Sequence, residues 1–238
     1  MKIFYRISDA GYKKVKPNYI NNENCLNNFT QVFLEYLDDI HITADNVCED
    51  TYNMICKYVN IKNINKVSIG HGAGTFNLTL NQALEFDDDE IIYFVENDYV
   101  HCANSPQILL EGFSLGFPYV TLYDHPDKYI DPSIGGNPFC RGGAENTRVH
   151  LTKSCHWKIT NSTTMTFASK VKDLKIDETI IRKWTSKTHP NDFAMFSEMR
   201  SNNRFLISPI PSYSTHGETA YLAPLRTWNE ILLDSKKL

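Results

Sequence analysis

The chain has 238 residues, 42% hydrophobic and 22% charged, long enough to bury roughly 70–75% of its unfolded surface in an ordinary globular core. Lys and Arg number 24 against 28 Asp and Glu, a formal charge of -4, which argues against a phosphate-backbone binder and so against nucleic acid as a partner. No run of about 18 apolar residues marks a transmembrane segment, and six scattered cysteines without a C-x-x-C pair read as reduced thiols.

Ile3, Tyr5 and Ile7 alternate with Phe4 and Arg6 and predict a first strand. Leu26, Phe29, Phe33 and Leu37 recur near helical spacing, and residues 39–44 predict a second strand. Met54, Ile55, Tyr58 and Val59 mark a second helix, residues 66–69 a third strand, and Phe76, Leu80, Ala83 and Leu84 a third helix. After the acidic turn Asp87-Asp88-Asp89, the apolar run 91–95 predicts a strand buried on both faces. Strand and helix thus alternate three times before a fourth strand, the pattern of βαβ units in a parallel sheet.

Ser105-Pro106 predicts a helix start with Ser as cap, and residues 119–123 a further strand. Residues 124–145 crowd prolines and glycines into a long loop, with 131–143 a candidate lid. Residues 154–166 read as strand-like, and 176–185 and 193–200 as helical; the last forty residues hold Pro209, Pro211 and Pro224 and close on 228–233. The N-terminal residues 1–6 lack a long apolar run and a small-residue cleavage site, so no signal peptide is read and a cytoplasmic location is expected.

Ligands of an open parallel sheet bind beyond the carboxyl ends of its strands. There the sequence offers Arg6 and Ser8, then Asp45 and Asn46, then Glu96-Asn97-Asp98. Two carboxylates two residues apart can reach one ligand if the chain turns, and such oxygen donors suit Mg2+ or Mn2+; the plain alternative is a solvated strand end. Asp87 and Asp89 share the spacing but precede their strand, at the wrong rim.

Asp45-Asn46-x-x-x-Asp50-Thr51, a helix opened by residues 70–83, and Glu96-x-Asp98 after an apolar strand occur in an order and spacing that resemble a GT-A-fold glycosyltransferase of the family-2 type. The resemblance spans roughly residues 2–125. It implies a single α/β domain, 1–238, with an open, mostly parallel sheet and flanking helices. A Rossmann-like donor lobe, 1–124, is fused to an acceptor lobe, 125–238. It further implies a nucleoside-diphosphate sugar donor, UDP- or GDP-linked, with Mn2+ or Mg2+, and a glycan or other hydroxyl acceptor. Asp45 resembles the base-reading acid, Glu96 the ribose-side acid of the DxD motif, and Asp98 the metal ligand; Arg6, Asn46, Asn77 and Asn97 fall with them on the donor side. Glu96 departs from the family's Asp.

His216 resembles the late metal-binding His of such enzymes, with Glu218 as its partner; the plain alternative is a turn His bonded to backbone. Asp192 resembles the general base, with Glu198 the alternative; Asp192 also suits a helix cap. His156 and Trp157 follow the Gly/Pro loop as candidate acceptor contacts, Trp157 offering either a sugar-stacking face or core volume. Gly72-x-Gly74 reads as a helix start rather than a phosphate cradle. Two rival readings remain: a sugar nucleotidyltransferase, for which Ser8-Asp9-Ala10-Gly11 is a poor match to a basic Gly-rich signature, and a non-catalytic nucleotide-sugar-binding relative.

Overall fold

The strand β1 (Lys2–Ser8) buries Ile3, Tyr5 and Ile7 on one face and Phe4 on the other, as a strand covered by helices on both sides must. It pairs in parallel with β2 (Ile40–Asp45) and with β4 (Ile91–Glu96), and β3 (Ile64–Val67) extends the sheet beyond β2. The connecting helices are α1 (Asn22–Val32), α2 (Glu49–Ile55) and α3 (Gly72–Ala83). The computed structural model describes residues 1–10 and 14–235; Gly11, the last residue of the weak glycine signature, lies outside them.

Past β4 the sheet becomes mixed. β9 (Phe167–Lys170) lies antiparallel between β4 and β6 (Tyr119–Val120), and β10 (Leu206–Ile210) runs parallel to β6. β8 (His156–Thr160) and β7 (Val149–Leu151) complete an antiparallel edge. Among the described residues the nine strands run β3-β2-β1-β4-β9-β6-β10-β8-β7. A separate antiparallel pair joins β5 (Tyr99–His101) to β11 (Ser214–His216), with His216 opposite Tyr99.

The pleat of the sheet sorts the core into two layers. Tyr5, Tyr93 and Val95 face Leu26 and Phe29 of α1, Ile108 and Leu109 of α4 (Ser105–Phe113), and Trp228 and Leu232 of α7 (Trp228–Ser235). Phe4, Phe94 and Phe167 face Phe76 and Leu80 of α3, Leu174 and Ile181 of α5 (Val171–Trp184), and Met195 and Phe196 of α6 (Asp192–Ser201). The α/β architecture with a largely parallel sheet and flanking helices is the one expected.

Several boundaries differ. Leu37 sits in the 3-10 turn Leu34–Asp39 rather than in α1, and α2 starts at Glu49, ahead of the expected apolar stripe. The third strand begins at Ile64, and the strand expected over 119–123 is regular only at Tyr119–Val120, with an isolated bridge from Tyr123 to Ser214 beyond it. Ser105 is no cap: its hydroxyl donates to the carbonyls of Cys102 and Tyr213, while left-handed Asn104 precedes the helix. The Gly/Pro loop folds into three 3-10 turns, Pro126–Tyr129, Pro132–Ile134 and Arg141–Gly143. Beneath it, buried Lys158 joins Asp124 at 2.7 Å and Glu145 at 2.9 Å, and buried Lys128 donates to Ser162 at 2.6 Å. Gly136 is required there, because a Cβ would stand 1.8 Å from the Ile130 carbonyl oxygen.

Candidate functional site

The carboxyl ends of β1, β2 and β4 open onto a cleft of about 860 Å3. Its walls include Arg6, Asp9, Asp45, Glu96, Asn97 and Asp98 from the sheet rim, and Lys14, Lys16, His71 and His189 from the loops around it. This is the location the topology favours for a ligand. The loop at 131–143 is not among these lining residues, so the lid expected from its glycines is not placed over the cleft; the flanking segments are those of Lys14 and Lys16 and of Thr188 and His189.

Glu96 and Asp98 line the cleft, and His216, buried behind them and not itself a lining residue, joins them so that the three bring one ligand atom each within 4.8 Å of one another. Glu96 ends β4, and Asp98 follows two residues later where the chain turns into β5. His216 reaches them from far along the chain because the β5–β11 register sets it opposite Tyr99, next to Asp98. Its Nε2 lies 3.3 Å from Asp98 Oδ2. The set combines two carboxylates with one imidazole, a donor mix that fits Mn2+ or Mg2+ and favours the former. Among the described residues His216 Nδ1, which is buried, has no hydrogen-bond partner, so Glu218 does not hold it.

The electrostatics are tightly balanced. Burial pushes Glu96 above the usual carboxylate range, opposed by the Arg6 guanidinium, whose Nη2 lies 3.2 Å from Oε1. Burial would raise Asp98 too, but His216, Lys14 and Lys16 hold it well below that range. Lys14 Nζ stands 2.9 Å from His216 Nε2 and 3.3 Å from Asp98 Oδ2, and Lys16 Nζ stands 3.0 Å from the same Oδ2. Burial lowers Arg6, against the pull of Glu96. Arg6 also donates to the Gly72 and Met165 carbonyls, tying β1 to the start of α3 and to the turn before β9.

Asp45 lines the cleft, yet its carboxylate is engaged: Oδ1 accepts from Ile69 N at 2.6 Å, and Oδ2 accepts from Gly70 N at 2.9 Å. Asn46, with φ 51°, accepts from the Ser68 hydroxyl. Asn97 donates to Asn22 Oδ1 at 2.6 Å. Asn77 is not among the lining residues; its amide bridges Ala73 and Thr185, clamping α3 to the end of α5. His71 caps α3 by accepting from Gly74 N at 3.0 Å, and a Cβ on Gly74 would lie 2.7 Å from that ring, which gives the glycine pair its helix-start role.

Asp192 opens α6, with Asn191 as the cap. Its Oδ2 accepts from the backbone N–H of Thr163 at 2.8 Å and of Thr164 at 3.0 Å. The same turn carries left-handed Thr164 and Met165, φ 46° and 58°, and Tyr99 OH bonds to Thr163 O and Thr164 Oγ1. Asp192 is thereby linked through one turn to the rim that carries Asp98. Glu198 lies on α6, with Oε2 bonded to Lys183 at 2.7 Å and to the Trp184 indole at 2.6 Å. Trp157 is fully buried, against Gly112, and donates to Thr152; with no open ring face it is core and not an acceptor platform. His156 is exposed on the β8 edge. Sequence reasoning missed Lys14, Lys16, Asp9 and His71; Asp9 accepts from Cys48 N, Thr51 and Asn22 to fix the start of α2.

No helix among the described residues is long and apolar enough to cross a membrane. No protein-family model matches the sequence, and no curated protein matches it. The fold does recur among solved structures. Over 90% of this chain it matches 42% of the chain of GalNAc-T7 solved with UDP, GalNAc and Mn2+, at 11% identity and a TM-score of 0.56, so this chain spans less than half of that protein. The galactosyltransferase LgtC, solved with donor and acceptor sugar analogs, matches over 87% of this chain and 73% of its own at 9% identity and a TM-score of 0.44. The 2-C-methyl-D-erythritol 4-phosphate cytidylyltransferase of Francisella tularensis matches over 100% of both chains at 12% identity and a TM-score of 0.48. At these identities the likeness is one of fold, and the chain has a GT-A-like, Rossmann-type arrangement with an acidic and imidazole cluster at its sheet rim.

Proposed function

We propose that this protein is a metal-dependent glycosyltransferase that moves a sugar from a nucleoside-diphosphate donor, UDP- or GDP-linked, to an acceptor hydroxyl in glycan synthesis. The observation that carries the reading is the convergence of Glu96, Asp98 and His216 at the carboxyl rim of a GT-A-like sheet, where Glu96 and Asp98 line a cleft walled by Arg6, Lys14 and Lys16. Residues 1–124 supply the donor side and 125–238 the acceptor side. Asp98 and His216 would hold the metal, with Glu96 toward the donor ribose; Asp45, Asn46 and Asn97 would border the nucleotide. A divalent ion there supplies charge neutralisation for the departing diphosphate. The six cysteines are all unpaired, which supports a cytoplasmic setting.

Asp192 is the general base of this reading. Its Oδ2 is fixed by two backbone N–H groups, leaving Oδ1 to take the proton of the acceptor hydroxyl. The acceptor oxygen bonds to the anomeric carbon as the bond from that carbon to the phosphate oxygen breaks. Attack from the face opposite the leaving group gives inversion. The test is a panel of nucleotide sugars with Mn2+, read as nucleoside diphosphate release and thermal shift; no release and no shift with any donor refutes the reading. The basic pair Lys14 and Lys16 in the loop after β1 favours one alternative, a sugar nucleotidyltransferase. Nucleoside triphosphate with a sugar phosphate, scored by pyrophosphate release, separates the two.

A further inference from the structure

The cation position between Asp98 and His216 is not an open hole in the charge distribution: an ammonium group fills it. Lys14 Nζ is 2.9 Å from His216 Nε2 and 3.3 Å from Asp98 Oδ2, and Lys16 Nζ is 3.0 Å from that same oxygen. An ammonium only donates, so the lone pairs that face Lys14 are the ones a divalent ion would take. Three cations, Arg6, Lys14 and Lys16, already surround the two carboxylates of Glu96 and Asp98. A dication entering this site meets two ammonium groups that converge on a single carboxylate oxygen, and both cannot keep that place.

We propose that Lys14 and Lys16 are a resident cation pair that shares the divalent-ion site: their ammonium groups occupy it in the empty cleft, and once the ion displaces them they pair with the donor's diphosphate. The inference rests on the metal site of the proposed function and assigns two residues to it. Both lysines line the cleft and are only partly exposed, at 22% and 31% of their side chains, so displaced ammonium groups stay within the donor's reach. Long flexible stems with point-charge heads suit such a change of partner better than a rigid guanidinium does. The metal and the diphosphate are then coupled through the lysines, and the coupling has a sign that a merely structural role does not produce.

Lys14→Met keeps the stem and removes the charge. Mn2+ binding alone, measured by calorimetry, is expected to tighten about tenfold, the equivalent of about 1.4 kcal/mol. Binding of the preformed Mn2+–pyrophosphate complex is expected to weaken by a similar factor. Lys16→Met, which removes only a contact to Asp98, is expected to move both in the same directions by less, and it serves if Lys14→Met does not fold. Wild-type protein that binds Mn2+ and variants that bind it equally or more weakly overturn the shared site and leave the metal centre standing. Wild-type protein that binds no Mn2+ at millimolar concentration overturns the metal centre, and this inference with it.

Discussion

Asp192 has both a structural and a proposed chemical role, and Asp192→Asn separates them. The carboxylate Oδ2 holds the turn at 163–165 through two backbone N–H groups, at 2.8 and 3.0 Å. Asn retains one carbonyl oxygen in that place, so both bonds persist but lose charge assistance, which roughly halves their strength. A charged hydrogen bond contributes about 1.5–3 kcal/mol and a neutral one about 1, so the two together cost about 1–4 kcal/mol of stability. In a chain of this length that is roughly 2–16 °C in melting temperature. The chemical role is separate: an amide cannot accept the acceptor proton, and transfer should fall about 10²–10⁴-fold while donor binding holds. Sugar transfer and donor affinity are both measured well below the variant's melting temperature. Transfer within threefold of wild type by a folded variant refutes Asp192 as the base. Loss of donor binding in parallel with transfer shows instead that Asp192 only props the turn.

Asp98→Asn should abolish Mn2+ binding in calorimetry without unfolding the chain, because it removes the acid that faces both His216 and the lysines. Gly112→Ala should cost about 1–3 kcal/mol in urea unfolding, since the new Cβ would lie 2.6 Å from Val120 Cγ1 and 2.8 Å from the Trp157 ring. Trp157→Ala should cost about 3–5 kcal/mol by leaving a cavity. His101 gives the acid dependence. Burial pushes it down to about 3, against about 6.5 for a free imidazole. The unfolded chain therefore binds the extra proton between those values, and stability falls as pH drops through 6.5 towards 3. This amounts to about 2 kcal/mol by pH 5. His101→Phe, keeping the ring against Phe29 and Phe33, should flatten that part of the stability–pH curve.

The N-terminal half was legible because its periodicities are clean. Phe76, Leu80 and Ala83 fall on one stripe, and the run 91–95 is apolar on both faces, so strand and helix declare themselves. The strands that make the sheet mixed carry no such mark. β9 reads Phe-Ala-Ser-Lys, buried from both sides through its neighbours rather than through its own composition. β10 carries Pro209, which a central strand normally excludes; β6 pairs only with Leu206 and Ile207, so the missing N–H falls beyond its reach. Of the site, Glu96 and Asp98 could be read from their place after an apolar strand. His216 could be found only by resemblance, since its position depends on the β5–β11 register. Lys14 and Lys16 were invisible because nothing local says that the loop after β1 turns back onto Asp98.

The turn at 163–165 links two groups from distant parts of the chain, the acidic rim of Glu96 and Asp98 and the Asp192 carboxylate. Thr164 and Met165 adopt left-handed backbone angles, and a β-branched residue such as Thr164 holds φ 46° only when its surroundings over-determine it. Three constraints do so: the Arg6 guanidinium on the Met165 carbonyl, the Tyr99 hydroxyl on Thr163 and Thr164, and the Asp192 carboxylate on the N–H groups of the same pair. Arg6 in turn binds Glu96, and Tyr99 directly follows Asp98. A shift of the acidic rim therefore pulls on the turn, and a shift of the turn pulls on Asp192. Strain concentrated where two functional groups meet is the expected arrangement when position must be held closely. It places the cation cluster and Asp192, the proposed base, on one connection rather than on two independent loops.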